Sequence, residues 1–180
     1  MSIALDAAAE RERARLAAAA QLMVECAGAV DDDRLEDWPS YFTEDCVYRI
    51  ETRESHGNGW PIGLIHCEGR GMLRDRVLAI RHGNVFDPHR YRHVLSLPRL
   101  APAAATPTVT PAGAGAKLAF ARRVLTSFNV TRVMQSGEMS LFAVGTYDDV
   151  LVEIAGELFI HERLVLLDSR ALDTLLALPI

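Results

Sequence analysis

LAFARRVLTSFNVTRVMQSGEMSLFAVGTYDDVLVEIAGELFIHERLVLL, residues 118–167, is the part of this 180-residue chain that decides its architecture. Between Leu118 and Val133 the apolar Phe120, Val124, Phe128 and Val130 fall on one parity, and Arg123, Ser127, Asn129 and Thr131 on the other. That is the period of two of a half-buried antiparallel strand. Glu138–Val152 and Glu157–Leu167 read as two further strands, and Gln135-Ser136-Gly137 and Ala155-Gly156 between them as hairpin connections. The alternation in the middle strand sets Met139, Leu141, Ala143 and Tyr147 against Phe142, Val144 and Thr146, so both faces are apolar. A sheet face left in water is more polar than that. The second face is therefore expected to lie under another surface, either a partner's or this chain's own helices.

Upstream of the meander the period changes. Leu16, Ala20, Met23, Ala27 and Val30 recur at spacings of four and three, one stripe of a helix. Asp31, Asp32 and Asp33 follow, with Asp33 as the N-cap of a short second helix through Leu35 and Trp38. Cys46–Thr52 alternates as a strand with Cys46, Tyr48 and Ile50 on one side, and Leu64–Cys67 is a short strand returning beside it. Met72–His82 carries Leu73, Val77 and Ile80 at helical spacing, basic residues in its last turn, and Gly83 where a left-handed cap would sit. Arg74, Asp75, Arg76 and Arg81 occupy the opposite, solvated face. Tyr91–Leu100 reads as a strand. Ala101–Ala116, with three prolines, two glycines and no charge, reads as a flexible loop rather than a domain boundary. Helices followed by a long antiparallel meander make one α+β domain over residues 1–180, a curved sheet wrapped around the helices.

Composition narrows the function classes. Hydrophobic residues are 49% and charged residues 24% of the chain, values that support a packed core and exclude disordered and fibrous classes. With 19 Lys+Arg against 24 Asp+Glu the formal charge is -5, and no basic run is present, which argues against nucleic acid as a partner. No uncharged apolar run approaches the length of a membrane span. Cys26, Cys46 and Cys67 show no CxxC pairing and read as buried thiols of a cytoplasmic protein. The six histidines are scattered: His89 and His93 alone stand four apart, no HxH occurs, and no close-spaced Cys/His pairs accompany them, so no metal-ligand set is drawn. Gly69 and Gly71 are too few glycines for a phosphate loop.

Several strings carry a resemblance: DRLEDWPSYFTEDCVYRI at 33–50, GMLRDRVLAIR at 71–81, RYRHVLSLPRL at 90–100, SGEMSLFAVGTYDD at 136–149 and LFIHERLVLLDSRALDTLLALPI at 158–180. In order and spacing they resemble the small (beta) subunit of bacterial aromatic-ring-hydroxylating dioxygenases, a branch of the NTF2-like, SnoaL-like (cystatin-like) cone fold. The resemblance implies a non-catalytic subunit that assembles with and stabilises an alpha subunit in aromatic compound catabolism. It also implies that the Rieske 2Fe-2S cluster and mononuclear iron sit in that alpha subunit, fed from NAD(P)H through a reductase, and that this chain holds no cofactor or metal. The implied assembly is alpha3beta3, with the small subunits forming a trimer. The Ala/Pro/Thr loop at 101–116 departs from the family pattern.

Interface candidates are Tyr147, Asp168 and the apolar end Leu172, Leu175, Leu176, Leu178 and Ile180, because apolar side chains at a chain end need cover. Asp168 reads first as a cap of the terminal turn. The alternative function is a stand-alone SnoaL-like dehydratase or isomerase. There Asp33, Tyr48 and His93 would form a pocket, with His93 as general base and Tyr48 hydrogen-bonding a developing enolate. A ligand-binding module without turnover is a third reading. The bland reading of each residue is a core histidine, a packed tyrosine and a helix cap.

Overall fold

The computed structural model describes residues 2–60, 63–83, 85–102, 120–170, 172 and 176–180. Helix α1 spans Ser2–Asp31. The stripe read from the sequence faces inward in its C-terminal half, where Met23, Ala27 and Val30 are buried together with Ala19, Leu22, Cys26 and Ala29. The short second helix is instead a turn followed by a 3-10 segment, Trp38–Tyr41, with Pro39 in its first positions. Asp33 does not cap it. Its φ of 59° puts the residue in the left-handed region, whereas an N-cap needs an extended backbone.

Strand β1, Phe42–Thr52, buries Cys46, Tyr48 and Ile50 on one face as the alternation required. A single-turn helix α2, Arg53–Gly57, is capped by the Thr52 hydroxyl, which accepts from the Ser55 amide. Strand β2, Ile65–Glu68, returns antiparallel to β1 with Tyr48 opposite Cys67. Helix α3, Gly69–His82, packs Leu73, Val77 and Ile80 inward. Gly83 ends it with a right-handed φ of −112°, its amide donating to the Ala79 carbonyl, so no left-handed cap forms. The strand expected at Tyr91–Leu100 is two pieces, β3 (His89–Leu95) and β4 (Arg99–Leu100), both antiparallel to β5. Pro98, which has no amide to donate, lies in the break. Of the loop at 101–116, only 101 and 102 are among the described residues.

The meander is β5 (Phe120–Met134), β6 (Met139–Ile154) and β7 (Glu157–Leu167). The sheet order is β2-β1-β7-β6-β5-β3, with β4 also on β5. All pairings are antiparallel except β1 with β7, which is parallel, so the sheet is mixed and mainly antiparallel. The N-terminal helices fill its concave side: α1 lies against β3 and β7, and α3 against β1. The C-terminal segment packs on its own chain, with Ala177, Leu178 and Ile180 buried in the core.

One feature of β6 corrects the simple alternation. Val130 pairs with Ala143 but Thr131 pairs with Leu141, so Phe142 is an extra residue. Such a bulge reverses parity along the strand. Phe142 and Ala143 both turn into the core, while Leu141 and Met139 move to the outer face, at 66% and 71% exposure. Tyr147 is therefore not on the face of Met139 and Leu141; it is a core residue stacked on Phe128, ring centroids 4.2 Å apart.

Gly145 sits in the same strand opposite Leu167, and a Cβ there would meet the Leu166 carbonyl and the Phe128 ring. A backbone oxygen cannot move aside as a side chain can. Gly145→Ala is expected to lower the unfolding free energy by about 1–3 kcal/mol. Denaturant melts of the two proteins measure this, and equal midpoints would contradict it.

Candidate functional site

In a cone-shaped fold the place for a site is the interior, and here it is occupied by side chains. Asp149 on β6 and Arg163 on β7 are directly opposite in the ladder. Their side chains form a two-bond pair, Nε to Oδ1 at 2.8 Å and Nη2 to Oδ2 at 2.9 Å, and they are 0% and 3% exposed. Arg163 Nη2 also donates to Met23 Sδ at 2.8 Å, and Nη1 lies 3.6 Å from Cys26 Sγ. The guanidinium stands 4.3 Å from the centre of the Tyr147 ring, a cation over a π-face. Burial pushes the Asp149 carboxyl up against the pull of Arg163. Burial also opposes the charge on Arg163, but the Asp149 carboxylate outweighs it and holds the guanidinium above its ordinary value. Each partner completes the other's hydrogen bonds.

The rest of the interior is equally filled. Trp38 meets Phe42 and Tyr48 edge-on at 5.4 and 5.2 Å. The Tyr48 hydroxyl donates to the Ile180 carbonyl at 2.8 Å, and burial pushes it well above the ordinary phenol value. Burial likewise raises the Cys26 thiol to about 11 and Cys46 to about 12. With Cys67 these are free, buried thiols, inert by protonation state.

The three residues of the alternative catalytic set are dispersed. His93 Nδ1 is 2.6 Å from Asp31 Oδ1, and the His93 amide donates to Asp31 Oδ2 at 2.8 Å. The carboxylate orienting this imidazole is thus Asp31, not Asp33. Asp31 lies four residues after Ala27, on the buried stripe of α1, which is the signal that separates it from its two acidic neighbours. Asp33 faces out and pairs with Arg81 at 2.7 Å. A cleft of about 480 Å³ opens between the ends of α1 and α3 and the start of β3; Asp31 and Asp33 line it, Tyr48 and His93 do not.

The α3 face read as solvated makes three tertiary links. Arg76 donates to the Leu176 carbonyl at 3.0 Å and holds the C-terminal segment. Arg70 bonds Glu44 at 2.6 Å. Arg81 forks onto Glu36 and Asp33. Asp168 pairs with Arg53 at 2.6 Å. Leu172 and Leu176 pack against the core's edge, and Leu175 lies outside the described residues. Among the described residues, no three His, Cys, Asp or Glu side chains gather where a metal ion could sit, and no helix is long and apolar enough to cross a membrane.

Comparison with known proteins agrees with this geometry. A family model described as a SnoaL-like domain matches residues 11–164. The beta 1 subunit of the terminal oxygenase component of terephthalate 1,2-dioxygenase from Comamonas is 39% identical over 154 residues, covering 86% of this chain and 91% of that one. The small subunit of anthranilate 1,2-dioxygenase from Burkholderia cepacia is 35% identical, covering 85% and 86%. This chain belongs to the SnoaL-like family of dioxygenase beta subunits. A crystal structure from Novosphingobium aromaticivorans, of a protein proposed to be a ring-hydroxylating dioxygenase beta subunit, superposes with a TM-score of 0.74 at 30% identity. It covers 93% of this chain and 99% of that one. The beta-subunit fold is thus what the sequence strings implied.

Two outcomes test the geometry. Arg163→Met alone strands a buried carboxylate and is expected to cost about 3–5 kcal/mol, whereas Arg163→Met with Asp149→Leu recovers most of that loss. A double-mutant cycle by urea unfolding that found the two changes additive would remove the pair from its central role. Separately, hydrogen bonds from Arg81 hold the Glu36 carboxyl down at about 2, against an ordinary 4.5. The Arg81–Glu36 link is therefore complete above pH 4.5 and is lost as pH falls through about 2. In carboxyl-carbon NMR titrations Glu36 is expected to titrate near 2, and to return to the ordinary range in Arg81→Gln; a wild-type midpoint above 4 would refute the link.

Proposed function

We propose that this chain is the non-catalytic beta subunit of a cytoplasmic ring-hydroxylating dioxygenase, assembled with an alpha subunit that carries the Rieske cluster and mononuclear iron. The observation that carries this reading is the match over most of the chain to dioxygenase beta and small subunits, and the buried Asp149–Arg163 pair, its polar atoms turned to each other, fits it. Tyr48 supports it too, since its hydroxyl is engaged by the Ile180 carbonyl and not turned toward a cavity. In this reading the holoenzyme adds O2 to an aromatic acid, the class named for the terephthalate and anthranilate relatives. Electrons come from NAD(P)H through a reductase, and this chain supplies shape and adhesive surface.

The surface that suits assembly is the outer face of the meander. Val94 on β3 and Val144 on β6 flank Asn129 on β5 in register. Together with Leu141 and Met139 they form an exposed apolar strip. Asp168, ion-paired with Arg53, is a second candidate contact, and Leu172 and Leu176 are half-buried against the core. The proposed stoichiometry is alpha3beta3, with the beta subunits arranged as a trimer.

Co-expression with a cognate large subunit, followed by affinity purification and mass measurement, tests the assembly. The expected product is a stoichiometric complex of hexamer mass, and a Leu141→Asp, Met139→Asp variant is expected to fold with an unchanged melting midpoint yet fail to co-purify. Turnover of a small cyclic substrate by the isolated chain, or a chain that never joins any large subunit, would overturn the proposal.

A further inference from the structure

The cleft between the ends of α1 and α3 and the start of β3 is open, and most of its charged groups are already engaged. Asp31 is bound twice by His93, with Arg92 Nη1 3.8 Å away. Asp33 pairs with Arg81, whose remaining donors meet Glu36. Two lining groups differ. Arg90 makes no ion pair or side-chain hydrogen bond among the described residues. His89 Nδ1 donates to the Asp87 carbonyl at 2.7 Å, while its Nε2 has no partner. The apolar wall is Val30, Ile80, Phe86 and Leu178, and the Phe86 ring lies 5.4 Å from the His89 imidazole.

We propose that this cleft binds a small aromatic carboxylic acid, with the ring against Phe86 and the carboxylate on the Arg90 guanidinium. The sign of the ligand follows from what remains uncommitted: both carboxylates of the cleft have cationic or imidazole partners, and the unengaged charge is positive. A single uncommitted guanidinium beside an apolar wall suits a planar monoanion, which it meets with two parallel hydrogen bonds. The volume, about 480 Å³, lies within the range of about 300–1,000 Å³ usual for small-molecule clefts. The assignment rests on the cleft itself and not on the subunit partnership proposed above.

Titration calorimetry and ligand-observed NMR on the purified full chain, with benzoate as probe and benzamide as its uncharged counterpart, test this. Benzoate is expected to bind saturably, and benzamide about tenfold or more weaker, the loss of a charge-assisted contact. Arg90→Gln, an exposed position, is expected to weaken benzoate by a similar factor while leaving benzamide unchanged, and Phe86→Ala to weaken both. Non-saturable benzoate binding, equal affinities for benzoate and benzamide, or undiminished benzoate binding by a folded Arg90→Gln variant would overturn it. Because the assay contains no large subunit, its failure leaves co-purification, and with it the beta-subunit reading, untouched.

Discussion

The molecule is organised around two opposite charges held without water. Taking a carboxylate and a guanidinium out of solvent costs several kcal/mol for each ion, so such a pair persists only where its surroundings complete it. Asp149 and Arg163 meet that condition: they face one another across β6 and β7, share two hydrogen bonds, and lie among Met23, Cys26 and the Tyr147 ring. Those contacts come from α1, β6 and β7, so the pair aligns the first helix with the meander built more than a hundred residues later. The polar groups at the centre are aimed at each other.

Secondary ties repeat the same device nearer the surface. Asp31 takes the His93 amide and imidazole together, which joins the end of α1 to β3. Strand β3 is an edge of the sheet, and a side chain engaging an edge amide blunts the tendency of open edges to pair with other chains. Tyr48 and Arg76 hold the carbonyls of residues 180 and 176, drawing the C-terminal segment against β1 and α3.

How far the sequence was readable follows from the range of each interaction. β5, β6, β7 and their two turns were legible because period-two alternation and turn residues are local properties. The packed faces of α1 and α3 were legible for the same reason at period 3.6. The bulge at Phe142 was not, since alternation assumes an unbroken parity, and the assumption placed Tyr147 with Met139 on one face. The parallel pairing of β1 with β7 joins residues more than a hundred positions apart, and no local pattern encodes it. Neither does the Asp149–Arg163 pair, although Arg163 stands amid Ile160, Leu164 and Val165, where an isolated cation demands a buried partner. The choice of Asp31 over Asp33 was available from helical spacing, but the acidic run obscured it.

The division between interior and exterior carries the functional argument to its end. The interior holds an ion pair, edge-packed aromatic rings and thiols raised by burial. The outer face of the same sheet presents apolar side chains, Val94, Leu141 and Val144 among them, in a chain whose charge could have covered them. Exposed apolar area of this kind is retained where it is used for association. A bulge is what places Leu141 there: with Phe142 drawn inward as the extra residue, the strand both completes the core and turns its next apolar residue outward. One irregularity thus completes the core on one face of the sheet and leaves apolar side chains exposed on the other.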